Sequence, residues 1–392
     1  MRVSRLTLDG EFIEAFLYYD FLWLLTRDGE AWAFDMTAYL NDEVASNDPD
    51  AVMAFTRNDQ MPRDNRGYVD SQFKKKVSRE FGRDGLYVEK KIVHKYSRVF
   101  KAFDNDAKSV LDFRCYYGRG FIATESRVFS LQMLGRTDLN HMQLGGYGNG
   151  ALQGSPMADF RCRQFRTNFG MITAAAGPDG AWYASGLLAN NPKSEIKFKR
   201  FSEKSVATEV MAGQVANVIS QNSLRFFETD IHPIQNEDHC LEDEQQKQEI
   251  DNIESENTTY TDKVNGSLQA IENEKKTVFT KTFLSKSKIF ASDNKNILHT
   301  ISITENNMLK DPERTEPYPC APGPILSLTF SAGGKAIVEL DDRVCMWNSY
   351  KKTWDDIFDG EVYSVRGYPG SRWYQNLVTL VGDDRVELSF IV

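Results

Sequence analysis

Histidine and cysteine are scarce, at five of each in 392 residues. No CxxC pair occurs among Cys115, Cys162, Cys240, Cys320 and Cys345, which excludes the usual zinc ribbons and redox dithiols. Their odd number and wide spacing fit a reducing, intracellular compartment (cytoplasm or nucleus) better than a disulfide framework. No run of 18 apolar residues is present, and the opening MRVSRLTLDGEF has no apolar signal core, so neither a membrane span nor secretion is expected. Also missing are G-x-S-x-G, Walker A, H-E-x-x-H and dinucleotide fingerprints. The glycine-rich GGYGNG at 145–150 has no lysine and opens no helix, so it reads as a turn. One group of metal-ligand types exists, His232, Glu237, Asp238, His239 and Cys240, but it opens a polar segment instead of a rigid hairpin. The sequence therefore assigns no catalytic, cofactor-binding or metal-binding residue.

What is present is repetition. Two-strand units broken by a short turn recur at 21–36 (FLWLLTRDGEAWAFDM), 120–133, 170–187, 217–231, 287–303, 335–348 and 376–392. Their starts are separated by 99, 50, 47, 70, 48 and 41 residues, which is a blade-sized period with two long insertions. Before each unit lies another short apolar segment, at 11–18, 109–116, 158–165, 205–212, 277–285, 324–331 and 360–366. Fourth-strand candidates follow some units, such as 195–200 (EIKFKR) and 352–358 (KTWDDIF). Four antiparallel strands repeated seven times predict an all-β fold, a seven-bladed β-propeller spanning 1–392. The last unit ends on VELSFIV with no room for a fourth strand, while 2–8 (RVSRLTL) is a strand without a blade. Pairing 2–8 with 386–392 closes the ring and hides both edges.

The segments 341–348 (DDRVCMWN) and 383–390 (DDRVELSF) resemble the closing strands of WD-repeat propeller blades, in degenerate form. The early Gly-His dipeptide of that family is absent, and Trp-Asp occurs once, displaced, at Trp354 and Asp355. The resemblance implies a divergent WD-repeat-like propeller.

Charge is local. The whole chain carries −9, yet residues 237–274 hold 12 acidic side chains and two lysines, so the rest stands near +1. The insertion 232–276 is poor in aromatics and is expected to be a disordered loop of the fourth blade. The insertion 37–108 is polar, with weak helical character at 41–56 and 71–81, and then basic, with a net of +7 over 72–103 and interleaved aromatics. Lys74, Lys75, Lys76, Arg79, Arg83, Lys90 and Lys91 are candidate contacts to phosphates there, with Tyr87 among the interleaved rings. The plainer reading makes 86–93 (LYVEKKIV) the outer strand of the first blade, with its lysines in solvent.

The repeated Asp-Phe-Arg at Asp112 and Asp159, with Arg114 and Arg161, suggests contacts between neighbouring blades, and the adjoining Cys115 and Cys162 read as core packing in equivalent places. The tyrosine pairs Tyr18 and Tyr19, and Tyr116 and Tyr117, sit at first turns and are candidates for a partner-binding patch, with inward packing of one Tyr of each pair as the alternative. The resulting expectation is a non-enzymatic scaffold in a multiprotein assembly, partnered by other subunits. Its runner-up is a propeller that binds nucleic acid through the basic insertion, and a propeller hydrolase or lyase comes third.

Overall fold

The computed structural model describes residues 3–391 except 19, 47–48, 56–84, 103–109, 117, 133–154, 188–195, 212, 234–247, 286, 306–307, 332–333, 369–370 and 372–373. Its strands form seven sheets, antiparallel but for one added strand, the blades of an all-β, seven-bladed propeller. Two compact units divide them, one of Met1–Asp106, Leu131–Gly154 and Leu326–Val392, the other of Ala107–Ser130 and Ser155–Ile325.

The first unit holds three blades. Blade 1 comprises Glu14–Tyr18, Phe21–Leu25, Glu30–Asp35 and Ser97–Lys101. Blade 6 comprises Ser327–Phe330, Ala336–Glu339, Arg343–Asn348 and Thr353–Asp359. Blade 7 comprises Ser364–Gly367, Leu377–Val381 and Arg385–Ile391, completed by Val3–Asp9 from the other end of the sequence. The register runs from Val3 opposite Ile391 to Asp9 opposite Arg385, with Leu8 opposite Val386, the register expected for 2–8 against 386–392. A fifth strand, Leu86–Val88, lies parallel on the outside of Val3–Asp9.

The second unit holds four blades. Blade 2 comprises Val110–Tyr116, Arg119–Thr124, Val128–Gln132 and Ser155–Ala158. Blade 3 comprises Gln164–Asn168, Met171–Ala175, Ala181–Ala184 and Lys199–Ser202. Blade 4 comprises Ala207–Met211, Gln214–Ser220, Ser223–Pro233 and Gln248–Glu256. Blade 5 comprises Phe279–Leu284, Lys288–Asp293, Leu298–Glu305 and Met308–Tyr318.

Second strands such as FLWLL, MITAA and LVTLV are buried at every position, as strands packed between layers are. The core therefore lies between blades. Phe121, Phe165 and Ile172 join blades 2 and 3, while Val344, Ile357, Val378 and Leu380 join blades 6 and 7. Turns are tight: at Gly180, φ is 99° and an added Cβ would meet the Ser202 carbonyl.

Several expectations need correction. Residues 86–93 are not the outer strand of blade 1. Leu86–Val88 joins blade 7, and Lys90–Tyr96 is a helix, because Val93 and Tyr96 fall three apart on one face and Val93 is buried. The strand expected at 158–165 is two elements, the end of blade 2 and the start of blade 3. The fourth strand of blade 3 is Lys199–Ser202 instead of 195–200. Within 41–56, a π-helix Leu40–Val44 and a helix Pro49–Phe55 form, the latter burying Ala51, Ala54 and Phe55. The stretch 71–81 lies outside the described residues.

The disordered loop expected over 232–276 is, in its described part, ordered. Gln248–Glu256 is the outer strand of blade 4, and Thr258–Lys275 is an 18-residue helix. Tyr260, Val264, Leu268 and Ile271 form one stripe of that helix and pack on Phe226 of blade 4 and on Ile301 and Ile303 of blade 5. Asn257 caps it by accepting from the Tyr260 amide at 3.0 Å. Low mean hydropathy concealed a short apolar stripe that suffices because two blades complete its burial. Among the described residues no helix is long and apolar enough to cross a membrane.

Blade 5 also carries a buried pair, with His299 Nε2 3.0 Å from Asp293 Oδ2 and the Thr277 hydroxyl donating to the same oxygen at 2.9 Å. Burial pushes the Asp293 carboxyl up, but hydrogen bonds from His299, the Ile297 and Lys295 amides and Thr277 outweigh it and hold the group below the usual carboxylate range. A depressed folded pKa stabilises the fold at every pH above the unfolded value and loses that contribution as pH falls through the folded one. Melting temperature should therefore fall on acidification below about pH 4, and less steeply in Asp293→Asn than in the wild type. Parallel pH–melting curves for the two proteins would contradict this.

Candidate interaction surface

Of the residues singled out in the sequence, Lys74, Lys75, Lys76, Arg79, Arg83, Tyr19 and Tyr117 lie outside the described residues, as do Glu237, Asp238, His239, Cys240 and the turn 145–150. Lys90 and Lys91 open the helix Lys90–Tyr96 and are exposed. The Lys91 ammonium pairs with Glu89 at 2.6 Å, and the Lys90 amide donates to Asp9 Oδ2 at 3.4 Å. Tyr18 and Tyr116 are both half-buried at the ends of first strands. The Tyr116 hydroxyl accepts from the Gly170 amide at 3.0 Å and so ties blade 2 to blade 3.

The first strands carry polar groups that join neighbouring blades. Asp112 accepts from the Phe113 amide at 2.9 Å and from the Phe165 amide of blade 3 at 2.6 Å. Arg166 of blade 3 meets Glu209 of blade 4 at 3.5 Å. Within the first unit, Arg366 of blade 7 forms a buried ion pair with Glu14 of blade 1 and lies 5.6 Å from the Phe16 ring centroid. Tyr368 accepts from the Leu17 amide at 3.0 Å. Asp112 thus bridges blades, as expected.

Asp159, however, is not its counterpart. It follows the last strand of blade 2, is exposed and pairs with Arg127 at 3.0 Å, while Arg161 reaches Glu125 at 4.0 Å. The position matching Arg114 in blade 3 is Arg166, since each stands two residues before the end of its strand. Cys115 and Cys162 are likewise both buried but not equivalent, Cys162 lying before the first strand of blade 3. The tripeptide repeats by letter, not by place.

A different cluster emerges on the first unit, at the turns Thr26–Gly29 of blade 1 and Gly382–Asp384 of blade 7. Tyr363 is 40% exposed, donates its hydroxyl to Asp383 at 2.5 Å and accepts from Arg27 at 2.5 Å. The Arg27 guanidinium lies 5.2 Å from the ring centroid. Tyr87, 62% exposed, stands beside Asp9, with Asp384 and Glu89 acting on it. Partial desolvation raises the Tyr87 phenol first, then the field of Asp9 and its hydrogen bond; at Tyr363 the hydrogen bond to Asp383 comes first. Exposed tyrosines held in place by hydrogen bonds lose little side-chain entropy on contact with a partner. In the sequence, Tyr87 stands out only as one ring in a basic stretch, and Tyr363 carries no signal. No group of three His, Cys, Asp or Glu side chains that could hold a metal occurs among the described residues.

No protein-family model matches the sequence, and no curated protein matches it either. Solved structures do match, and β-propeller domains are among them. The WD40 β-propeller domain of Doa1 superposes with a TM-score of 0.51 at 7% identity, covering 99% of this chain and 96% of that one. The AfRom2 CNH domain gives 0.51 at 7% identity, with 99% of each chain covered. The Cps50 (Swd1) β-propeller domain of Myceliophteria thermophila gives 0.50 at 10% identity, covering 98% and 97%. At such identities the likeness is one of fold alone.

Proposed function

We propose that this chain is a non-enzymatic protein-interaction module, a subunit of a multiprotein assembly that contacts its neighbour through the Tyr87–Tyr363 surface. The observation that carries the reading is the pair of exposed tyrosines, each beside a carboxylate on one unit, with Arg27 stacked on one of them. Tyr and Arg are the side chains that most often dominate binding energy at protein interfaces. The polar groups joining the first strands bind blade to blade, so they serve the scaffold. A reducing compartment suits Cys115, Cys162, Cys320 and Cys345, none of which is in a disulfide.

The test is affinity capture from source-cell extract, with and without nuclease, using the wild type and the Tyr87→Ala/Tyr363→Ala double variant. The expected outcome is a set of captured proteins that survives nuclease and is lost from the double variant. Capture abolished by nuclease, and by joint replacement of Lys74, Lys75 and Lys76 with Ala, would replace this reading with the nucleic-acid one. Undiminished capture by the double variant would move the interface elsewhere.

A further inference from the structure

We infer that the first-strand entries of blades 3, 4 and 5 form a docking surface for an acidic, apolar-anchored segment of a partner protein. This goes beyond the Tyr87–Tyr363 reading, belongs to the second unit alone, and stands or falls separately from it.

Each of these blades opens on a triplet that is exposed, buried and exposed in turn: Arg161-Cys162-Arg163, Lys204-Ser205-Val206 and Lys276-Thr277-Val278. The first strands follow at once, at Gln164, Ala207 and Phe279. The buried middle residue seats the triplet, and the residues on either side of it face solvent. Val206 is 43% exposed and Val278 63%, so equivalent places on neighbouring blades both leave apolar surface in water.

Hydrogen bonds set the triplets along one edge of the unit. The Thr208 amide donates to Gln164 Oε1 at 3.3 Å, and Asn168 Nδ2 donates to the Val210 carbonyl at 3.1 Å. The first strands of blades 3 and 4 therefore run side by side in the same direction. The Ser205 amide donates at 2.9 Å to the Gly177 carbonyl, in the turn between the second and third strands of blade 3. One blade on, Glu272 makes the corresponding link. It accepts from the Phe279 amide at 2.8 Å and from Asn222, in the matching turn of blade 4, at 3.4 Å. Entries and turns thus alternate from blade 3 to blade 5.

The charge of that edge is unbalanced. Arg161 is taken by Glu125, at 4.0 Å. Arg163, Lys204, Lys276 and, in the blade 5 turn, Lys295 are exposed, and among the described residues their side chains pair with no carboxylate. The Arg163 guanidinium lies against Gly177 of its own blade's turn. Asp179 and Glu203, also exposed, set two negative charges against these four positive ones. The matching lead positions on the first unit are Glu11, Pro324 and Glu361, so the basic lead is particular to the second. Unpaired cations around exposed valines complement carboxylates spaced about an apolar side chain. Nucleic acid would need rings on which to stack its bases, and the exposed apolar residues of these entries are valines. An acidic protein segment is therefore the expected guest.

The full-length purified chain can be titrated by fluorescence anisotropy with fluorescein-labelled Gly-Asp-Leu-Glu-Asp-Leu-Glu-Gly, with its Asn/Gln counterpart, and with single-stranded oligo(dT). The acidic peptide should bind most tightly, and less so as salt is raised. Arg163→Glu/Lys204→Glu should weaken it by about tenfold, and Val206→Ser/Val278→Ser by about threefold. Lys351→Glu/Lys352→Glu, which reverses an exposed pair on blade 6, should leave it unchanged. Circular-dichroism melting curves matching the wild type establish that each variant folds. Equal binding of the acidic and neutral peptides would overturn the proposal, as would equal losses from the two charge-reversed variants. Tighter binding of oligo(dT) than of the acidic peptide would overturn it in favour of a nucleic-acid site.

Discussion

Removal of residues 1–9 is expected to destroy cooperative unfolding. Val3–Asp9 pairs along its whole length with Arg385–Ile391 on one side and carries Leu86–Val88 on the other, so its loss strips two strands of their partner at once. Leu6 and Leu8 are fully buried, and each truncated to Ala should cost roughly 2–5 kcal/mol. Two such losses, together with backbone groups left unpaired, rival the whole stability of about 5–15 kcal/mol typical of a domain. The point variant Leu8→Asp should act almost as strongly, because it places a carboxylate at a fully buried position. Thermal unfolding followed by circular dichroism is the measurement. A truncated protein that melts cooperatively at the wild-type temperature would show that the N-terminal strand is dispensable.

The second large effect concerns the helix Thr258–Lys275. Leu268→Ala should destabilise the protein by about 2–4 kcal/mol, since Leu268 is 1% exposed between blades 4 and 5. Tyr260→Phe should cost about 1 kcal/mol, as it removes a hydroxyl lying 3.0 Å from the Ile303 carbonyl and 2.9 Å from that of Lys310. The same burial pushes the Tyr260 phenol up to about 12, so the hydroxyl stays protonated at any ordinary pH. Limited proteolysis gives an independent readout. The wild-type helix should resist cleavage, and Leu268→Ala should open it. Early cuts within the helix of the wild-type protein would mean that the packed stripe does not hold it.

The sequence by itself determined the seven hairpins and the sharing of the last blade between its two ends. Both follow from short apolar strands and tight turns, which are local signals, and from a strand left over at each end that finds a partner only in the other. Position within a blade was less legible. The Asp-Phe-Arg repeat suggested equivalent sites, yet Asp112 lies in a first strand and Asp159 beyond a last one, because a tripeptide does not encode its register. The helix Thr258–Lys275 escaped composition because four apolar residues among acidic ones become a core only when blades 4 and 5 cover them.

Tertiary structure alone decided the candidate surface. Arg27, Tyr87, Tyr363 and the aspartates Asp9, Asp383 and Asp384 come from five separate stretches of the chain, and only the pairing of Leu86–Val88 and Arg385–Ile391 with the N-terminal strand gathers them. Exposure and mutual distance are properties of the folded sheet, so no pattern along the chain could have announced them.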